Sequence, residues 1–266
     1  MSDDVNGLRP RLMSVAYRML GSVADAEDAV QDAFLRYQTA GGVSSPEGFM
    51  VRTVTRLCID RLRERRRRGY VGPWVPEPVA TQTEARGAGL AESLTQAFLL
   101  RTVFDYDYAE VAKAVGKSEA AARQLVSRAR GRLGLEGGRR FPAPPARAAG
   151  LAERFVAACR AGDVKAVEAM LAEDAEVHTD GGGKAAAARV VVRGRDRVAR
   201  FLTGVLRKPW FQDFHTTTVN GEPGLVFRSG DRVKSVLSLR IDGDVRAVYM
   251  TLNPDKLDRW AAAEVE

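Results

Sequence analysis

The sequence has 266 residues, of which 45% are hydrophobic and 28% charged, and its formal net charge of +7 favours a polyanionic partner. Only two cysteines occur, Cys58 and Cys159, and both fall at apolar positions of helical patterns. So few cysteines exclude a disulfide framework, and their spacing does not match a zinc site. We therefore predict no cofactor. Because no apolar run approaches the roughly 20 residues of a membrane span and no signal-sequence pattern begins the chain, we expect a protein of the reducing cytoplasm without a membrane partner.

Two amphipathic helices are predicted near the start of the chain. Apolar residues recur at helical spacing over Leu12–Leu20 and again over Ala26–Tyr37, and Ser22 between the two stripes is a typical N-cap. The second helix carries a polar face opposite its apolar stripe. This face, called the acidic face below, consists of Glu27, Asp28, Gln31 and Asp32.

A third helix is predicted to begin at Ser45-Pro46, because serine caps a helix and proline suits its first turn. Its apolar positions run from Met50 to Leu62 and lead into an arginine-dense end. Between positions 50 and 70, eight arginines stand against Asp60 and Glu64. Such a charge run is typical of a surface that meets nucleic acid, although a solvated helix end gives the same composition.

A linker is predicted over residues 70–90, since three prolines interrupt it and no apolar period is sustained. It contains the motif Trp74-Val75-Pro76-Glu77-Pro78-Val79. Trp74 suits an interface, because a large aromatic side chain is costly to expose and effective in a contact.

The following segment predicts a helix over 91–101, a helix over Tyr108–Val115, a tight turn, and a helix over Glu119–Leu133 that Ser118 caps. This is the pattern of a helix-turn-helix, but a purely structural helical hairpin looks the same, so both remain open at this point. The polar or basic residues of the second half are Lys117, Arg123, Gln124, Ser127 and Arg128. A second linker, rich in Gly, Pro and Arg, is predicted over 135–147.

The composition changes from residue 148 onward, where two helices are followed by β-type runs and one further helix over Arg195–Leu206. Asp242-Gly243 is a typical hairpin turn. The β-type runs are Ala175–Thr179, Arg189–Val192, Thr216–Val219, Leu225–Arg228, Val233–Ile241 and Val245–Leu252. Helices followed by strands predict an α+β fold, a curved antiparallel sheet backed by helices.

The helical part of the chain resembles a known family. Asp25–Phe34 is similar to conserved region 2 of bacterial extracytoplasmic-function (ECF) sigma factors, and Ser45–Arg68 is similar to the promoter-melting helix of that region. Tyr106–Val126 resembles the helix-turn-helix of region 4. The stretch from Ala149 onward, with Ala161-Gly162-Asp163, resembles SnoaL-like domains.

Three further motifs match the sigma subgroup that carries a fused SnoaL-like extension. They are the Trp74–Val79 motif, the loop Asp180-Gly181-Gly182-Gly183-Lys184 and the turn Asn253-Pro254-Asp255-Lys256-Leu257. The resemblance implies a multidomain chain: all-α region 2 over 1–69, the linker 70–90, a shortened region 4-like helix-turn-helix over 91–134, the linker 135–147, and a SnoaL-like α+β cone over 148–266. It also implies an alternative sigma factor that binds core RNA polymerase and promoter DNA and is regulated in cis by the SnoaL-like domain.

The resemblance assigns roles to particular residues, with no catalytic or metal-binding residue among them. The acidic face would bind core RNA polymerase. The expected DNA contacts are Arg52, Arg56, Arg61, Arg63, Arg65, Arg66, Arg67 and Arg68 near the −10 element and Lys117, Arg123, Gln124, Ser127 and Arg128 near the −35 element. The expected interdomain regulatory residues are Trp74, Pro76, Asp180, Gly181, Gly182, Gly183, Lys184, Asn253, Pro254, Asp255, Lys256 and Leu257.

One departure from the family pattern and two other functions stay open. About one helix before the helix-turn-helix is missing, because Ala97-Phe98 runs directly into Leu99, and this puts −35 recognition in doubt. SnoaL-like folds include enzymes and ligand-binding proteins, so His178 and Asp180 are considered as an acid–base pair and an unknown small ligand as an occupant of the cone. A degenerate sigma paralogue that binds partners without driving transcription is the other alternative.

Overall fold

The computed structural model describes residues 5–43, 45–80, 97, 100–101, 106–115, 117–132 and 145–263. The chain divides into two compact units. One unit holds the described residues of 1–69 and 90–140, and the other holds those of 70–89 and 141–266. The linker residues 70–80 therefore belong with the C-terminal unit. No helix in the described ranges combines the length and apolar character needed to cross a membrane.

The first unit begins with a short 3-10 turn, Val5–Leu8, and three helices, α1 (Arg9–Leu20), α2 (Val23–Thr39) and α3 (Pro46–Arg68). Both predicted caps are confirmed: the Ser22 hydroxyl accepts from the Asp25 N–H and the Ser45 hydroxyl accepts from the Gly48 N–H, each at 3.3 Å. The apolar stripes predicted from the sequence form a shared core. Its buried members include Leu12, Met19, Leu20, Val30, Met50, Val54 and Leu62.

Two further helices of this unit are α4 (Tyr108–Val115) and α5 (Glu119–Arg132). The structure describes only three residues of the predicted helix 91–101, namely Ala97, Leu100 and Arg101, and all three are helical. A reciprocal capping box starts α4. The Glu110 N–H donates to the Asp107 carboxylate at 2.7 Å, and the Asp107 N–H donates to Glu110 at 3.1 Å. The predicted packing is confirmed, since the facing apolar residues are buried. They are Val111, Ala112, Val115, Ala122, Leu125, Val126 and Ala129.

The second unit is an α+β domain with one six-stranded sheet, as predicted. Its helices are α6 (Pro145–Ala161), α7 (Val164–Met170), α8 (Arg195–Leu206) and α9 (Pro254–Ala263), with a 3-10 turn at Pro209–Phe211. Its strands are β1 (Leu171–Asp180), β2 (Val192–Arg193), β3 (Phe214–Val219), β4 (Glu222–Ser229), β5 (Arg232–Asp242) and β6 (Asp244–Thr251). They are ordered β2-β1-β6-β5-β4-β3, and the predicted hairpin turn at Asp242-Gly243 joins β5 to β6.

The sheet differs from the prediction in one pairing. β1 lies parallel to β6, with Val177 opposite Val248, whereas every other pairing is antiparallel, so the sheet is mixed. A parallel pairing needs a long crossover between its strands, here through α8 and the β3–β5 meander. The predicted strand Arg189–Val192 is also shorter and later, because only Val192–Arg193 pairs with β1.

Alternation along the strands gives the sheet two different faces. One face packs against the helices through a large apolar core that includes Phe155, Val177, Leu202, Phe227 and Val248. The other face carries a smaller apolar cluster beneath α9. That cluster consists of Val219, Val226, Val236, Leu257 and Trp260. The second face also carries Asp180 and therefore positions the site described below.

Glu222 at the start of β4 gives this domain a predicted pH dependence. Burial raises the pKa of Glu222 to about 7 from its ordinary value near 4.5, and Arg240 lowers it only in part. The folded state therefore binds more protons than the unfolded chain between these two pH values. The free energy of unfolding should fall as the pH rises from about 4.5 through 7, because the buried carboxylate becomes charged.

Replacing Glu222 with glutamine should remove this loss. We expect Glu222→Gln to raise the free energy of unfolding at pH 8 by on the order of 1 kcal/mol, with the difference shrinking toward pH 5. Denaturant unfolding at several pH values measures it. Glu153→Gln, at an exposed position of α6, is the matched control. An unchanged pH dependence in Glu222→Gln would show that another group is responsible.

Candidate functional site

The acidic face lies on the outer side of α2. Asp28 and Gln31 are exposed, and Glu27 and Asp32 are half-buried. Leu35, which the sequence analysis missed, extends this face by one further turn and is 54% exposed. Leu35 follows Asp32 by three residues, Gln31 by four and Asp28 by seven, and residues with these spacings share a helix face. This spacing could have identified Leu35 from the sequence. The arrangement offers carboxylates beside one exposed apolar side chain.

The arginines of α3 fall on two different sides of the helix. With about 100° of rotation per residue, four of them lie within roughly 60° of one another on the outer side. This set, called the outward arginine row, consists of Arg52, Arg56, Arg63 and Arg67. Arg52, Arg56 and Arg67 are exposed, and Arg63 is half-buried beside Asp60 at 3.3 Å. The side chains of Arg66 and Arg68 lie outside the described part of the structure.

Arg61 and Arg65 point the other way, toward α1 and α2. The Arg61 guanidinium donates to the backbone oxygen of Asp25 and to the Asp32 carboxylate, the latter at 3.1 Å, and lies 3.9 Å from Asp28. Arg65 donates to the backbone oxygen of Leu20 at 2.9 Å, where α1 ends. Cations are favourable at a helix C-terminus, so Arg65 has a structural role there. These contacts differ from the DNA-facing position expected for both residues.

In the helix-turn-helix too, some of the predicted DNA-contacting residues are simply exposed, whereas Arg123 also contacts other side chains. Lys117, Gln124, Ser127 and Arg128 are exposed along α5 or just before it. Arg123 is exposed as well, but its guanidinium pairs with Glu119 and stacks on the ring of Tyr108, with 4.6 Å to the ring centroid. The Arg101 guanidinium also lies over that ring, at 5.2 Å from the centroid. Arg123 therefore helps to join α4 and α5, in addition to any contact with DNA.

The linker docks on the C-terminal unit at Asp180, the last residue of β1. The Asp180 carboxylate is fully buried and accepts hydrogen bonds from Tyr70 Oη at 2.6 Å, from the Val75 N–H at 3.0 Å and from Lys256 Nζ at 2.7 Å. Lys256 Nζ also donates to the Val75 carbonyl. It lies 4.0 Å from the centroid of the Trp74 ring and 5.3 Å from that of Tyr70, within cation–π distance of both.

The glycines of the loop after β1 allow this close packing. A Cβ on Gly182 would lie 2.3 Å from Asn253 Nδ2, and the φ of Gly182 is +58°. Asn253 in turn donates to Tyr70 Oη at 3.1 Å. We call Tyr70, Trp74, Val75, Asp180, Gly182, Asn253 and Lys256 the linker-docking site. The structure thus brings together one motif of the linker and two of the C-terminal unit.

The other predicted regulatory residues do not bind the linker backbone through the contacts described above, and their exposure differs from residue to residue. Lys184 forms an exposed ion pair with Asp255 at 2.7 Å. A Cβ on Gly181 would lie 2.3 Å from the Ala185 carbonyl, and one on Gly183 would lie 3.4 Å from Val71. Pro76 and Pro254 are exposed, and Leu257 is buried in the small apolar cluster beneath α9.

The described part of the linker has a second attachment, at Asn220, which the sequence analysis missed. Asn220 occupies the β3–β4 turn with a φ of +53°. Its side-chain oxygen accepts from the Val79 N–H at 3.0 Å, and its own N–H donates to the Val79 carbonyl at 2.9 Å. Ala80 then bridges to Val219 of the edge strand β3. Asn220-Gly221 is locally typical of a hairpin turn, so nothing in the sequence pointed to a linker contact.

The considered acid–base pair of His178 and Asp180 is not formed. His178 Nε2 instead lies 2.9 Å from Glu176, and its ring stacks on Tyr249. Burial alone would raise the pKa of Glu176, but hydrogen bonds from Arg193 and His178 outweigh it and hold that pKa below its ordinary value. The carboxylate of Asp180 is occupied by the linker, so it is not available to orient the histidine.

Both cysteines are buried, as predicted, and neither forms a disulfide. Burial raises the pKa of each thiol to about 12. Near Cys58, Arg61 lowers the pKa and Asp25 raises it, both by less than burial does. Thiols with such pKa values remain protonated at neutral pH and are poor nucleophiles.

Comparison with known families gives three matches along the chain. The family described as "Sigma-70 region 2" matches residues 5–68, and "Sigma-70, region 4" matches residues 88–133. The family described as "SnoaL-like domain" matches residues 152–247. The three matches follow the same order along the chain as the parts that the sequence motifs suggested.

Two curated relatives and one solved structure are similar over nearly the whole chain. The chain is 37% identical to "ECF RNA polymerase sigma factor SigJ" of Mycobacterium tuberculosis, over 95% of this chain and 92% of SigJ. It is 27% identical to "Probable ECF RNA polymerase sigma factor SigI" of the same species, over 94% and 92%. The crystal structure of M. tuberculosis SigJ matches with a TM-score of 0.65 at 34% identity, covering 96% of this chain and 98% of that chain.

The alignment with SigJ spans 295 positions, more than the 266 residues of this chain, so SigJ has positions without a counterpart here. A shortened segment before the helix-turn-helix is consistent with that difference. The segment itself lies largely outside the described residues, and the shortening stays a prediction.

Proposed function

The chain belongs to the ECF RNA polymerase sigma factors, and from this membership we propose that it directs promoter-specific transcription under the control of its own C-terminal domain. Members of this family are transcription initiation factors rather than catalysts, and they bind core RNA polymerase and promoter DNA. The proposal places the protein in the cytoplasm with the polymerase. It assigns one task each to the acidic face, the outward arginine row and the linker-docking site.

The acidic face is proposed to bind core RNA polymerase. Asp28 and Gln31 are exposed, and the Asp32 carboxylate keeps 46% of its side-chain surface in solvent. Carboxylates on such a face form strong charge-assisted hydrogen bonds with arginines of a partner. Leu35 adds an exposed apolar side chain that a partner can bury. Together they provide both elements of a specific protein interface.

The double substitution Asp28→Arg with Asp32→Arg tests this assignment. We expect it to weaken association with core RNA polymerase at least about tenfold, because two attractive contacts become repulsive. Affinity is measured by competition with a labelled wild-type chain. Asp60→Arg is the matched control, since Asp60 is an exposed aspartate on the neighbouring helix outside the acidic face. Unchanged core affinity in a folded double variant would refute the assignment.

The outward arginine row and the exposed residues of α5 are proposed to contact promoter DNA. Arginines at exposed helix positions attract phosphates, and this attraction depends on salt. On α5, Gln124, Ser127 and Arg128 are exposed, and we assign them to base edges of a −35 element, since recognition helices read the major groove with such residues. Arg61 and Arg65 are not part of this proposal, because Arg61 donates to α2 and Arg65 donates to α1.

Regulation in cis is proposed to act through the linker-docking site. One observation supports it above the others: the buried Asp180–Lys256 pair binds the linker backbone at Val75 from both sides, as acceptor and as donor. The docked residues begin at Tyr70, and only Gly69 separates them from α3. A docked linker limits how far the two DNA-binding regions can separate, and their spacing selects promoters with a matching gap.

Run-off transcription with core RNA polymerase tests this regulation. Templates are promoters selected from a randomised library by the reconstituted wild-type holoenzyme. A chain with Lys256→Met is expected to change promoter-specific transcription more than it changes the affinity of the chain for DNA. The point variant is sharper than deletion from Asn253 onward, because deletion would also expose the apolar cluster that Leu257 and Trp260 cover. Equal transcription by wild type and folded Lys256→Met would refute regulation through this site.

A small ligand in the cone is a separate proposal. The described side chains on the helix-facing side of the sheet form a closely packed apolar cluster around Phe155, Phe211 and Phe227. His178 lies on the opposite face, engaged with Glu176. Thermal stabilisation of the chain by a compound from an apolar ligand library would support ligand binding.

A further inference from the structure

Arg61 connects the helix that carries the arginines to the helix that carries the acidic face. It projects from α3, with only about a quarter of its side chain exposed, and reaches three acceptors on α2. These are the backbone oxygen of Asp25, the Asp32 carboxylate at 3.1 Å and the Asp28 carboxylate at 3.9 Å. Two of the three acceptors belong to the acidic face itself.

Helix geometry separates Arg61 from the outward arginine row. It follows Arg52 by nine residues, which places it about half a turn away around the helix axis. Arg65, one turn later, also points inward and donates to the Leu20 carbonyl at the end of α1. Arg65 is therefore a natural control, with the same residue type on the same helix and side but with a different partner.

The carboxylates of Asp28 and Asp32 lie close enough to repel each other in the free protein. They are four residues apart on one helix, where like charges repel each other. Arg61 lies within ion-pair distance of both and offsets that repulsion. Because Asp28 and Asp32 remain 68% and 46% exposed, each still presents oxygen atoms to an incoming partner. Arg61 thus hydrogen-bonds to Asp32 and lies within ion-pair distance of Asp28 without covering either carboxylate.

We infer that Arg61 is a positioning residue for polymerase docking, which holds the Asp28 and Asp32 carboxylates in the orientation that the polymerase binds, and that it makes no contact with DNA. The inference rests on the proposed role of the acidic face. Side chains already ordered before binding lose less conformational entropy when the complex forms, so their contacts yield more affinity.

The test compares Arg61→Ala with Arg65→Ala in the full chain. Affinity for core RNA polymerase is measured by competition, and affinity for a labelled random-sequence duplex is measured over a range of salt concentrations. Arg61→Ala is expected to weaken core binding about five- to tenfold and to leave the salt dependence of DNA binding unchanged. Arg65→Ala should leave core affinity within about twofold of wild type, since the Leu20 carbonyl that Arg65 binds lies outside the acidic face.

A second comparison separates positioning from general loss of structure. In a chain that already carries Asp28→Asn and Asp32→Asn, Arg61→Ala should have no further effect on core affinity, because Arg61 acts only through those carboxylates. An effect of the same size in both backgrounds would overturn the inference. So would unchanged or tighter core binding by Arg61→Ala, or a DNA salt slope reduced by about one.

The same experiments distinguish failure of this inference from failure of the proposed function. If the chain with Asp28→Asn and Asp32→Asn binds core polymerase as tightly as wild type, the acidic face is not the polymerase site and both proposals fall. If that chain binds more weakly while Arg61→Ala binds normally, the acidic face stands and only the positioning role of Arg61 is refuted.

Discussion

Replacing Lys256 with methionine is expected to detach the linker from the C-terminal unit. The substitution removes the positive charge from the buried Asp180 carboxylate and leaves the Val75 carbonyl without its donor. An uncompensated buried charge typically costs about 3 to 5 kcal/mol, more than a short docked segment recovers from its remaining contacts. Hydrogen exchange of the Val75 amide should accelerate strongly, because that N–H donates to Asp180.

Two further variants give this prediction its controls. Lys184→Met breaks the neighbouring pair with Asp255, in which both side chains are more than half exposed, and should cost less than about 1 kcal/mol. The double substitution Lys256→Met with Asp180→Asn removes both charges and should restore part of the lost protection at Val75. Slow exchange at Val75 in folded Lys256→Met would show that the ion pair does not hold the linker.

Removing three of the four arginines in the outward arginine row is expected to reduce the salt dependence of DNA binding. A chain with Arg56→Ala, Arg63→Ala and Arg67→Ala can neutralise up to three fewer phosphates. The slope of log affinity against log salt should therefore fall by roughly 0.9 for each phosphate that is no longer neutralised. Titration of a labelled duplex at several salt concentrations measures the slope. The affinity at low salt should fall most, since counterion release contributes most there.

Arg65→Ala is the control for this measurement as well. Arg65 contributes the same charge to the same helix, but it donates to the Leu20 carbonyl, and its removal should lower the stability of the unit by about 1 kcal/mol without changing the salt slope. If Arg65→Ala reduces the slope as much as a substitution in the outward arginine row, then the division of α3 into two sides does not describe DNA binding.

Local sequence signals made the helices predictable, whereas contacts between residues far apart in the sequence could not be predicted. Ser22 and Ser45 act within three residues of themselves, so their caps followed from sequence alone. The parallel pairing of β1 with β6 joins residues about 70 positions apart, with Val177 opposite Val248, and alternation within a strand does not reveal its neighbour or its direction.

The candidate sites show the same limit. Charge density identified α3 as basic, but only the rotation of each residue around the helix axis separates Arg61 and Arg65 from the outward arginine row, and that step was available from the sequence. The resemblance grouped the linker motif with the loop and the turn. It did not indicate that the Asp180 carboxylate binds the linker backbone, or that Asn220 binds the linker at Val79.

The burial of Lys256 also makes this residue a chemical reporter. Its ammonium is shielded by Asp180, Trp74 and Tyr70, so an amine-reactive reagent can modify it only while the linker is detached. Lys184, more than half exposed on the adjoining loop, supplies an internal reference rate in the same molecule. The ratio of the two labelling rates therefore measures how often the linker detaches, and comparing it in the free chain and in the holoenzyme would show in which of them the linker stays bound.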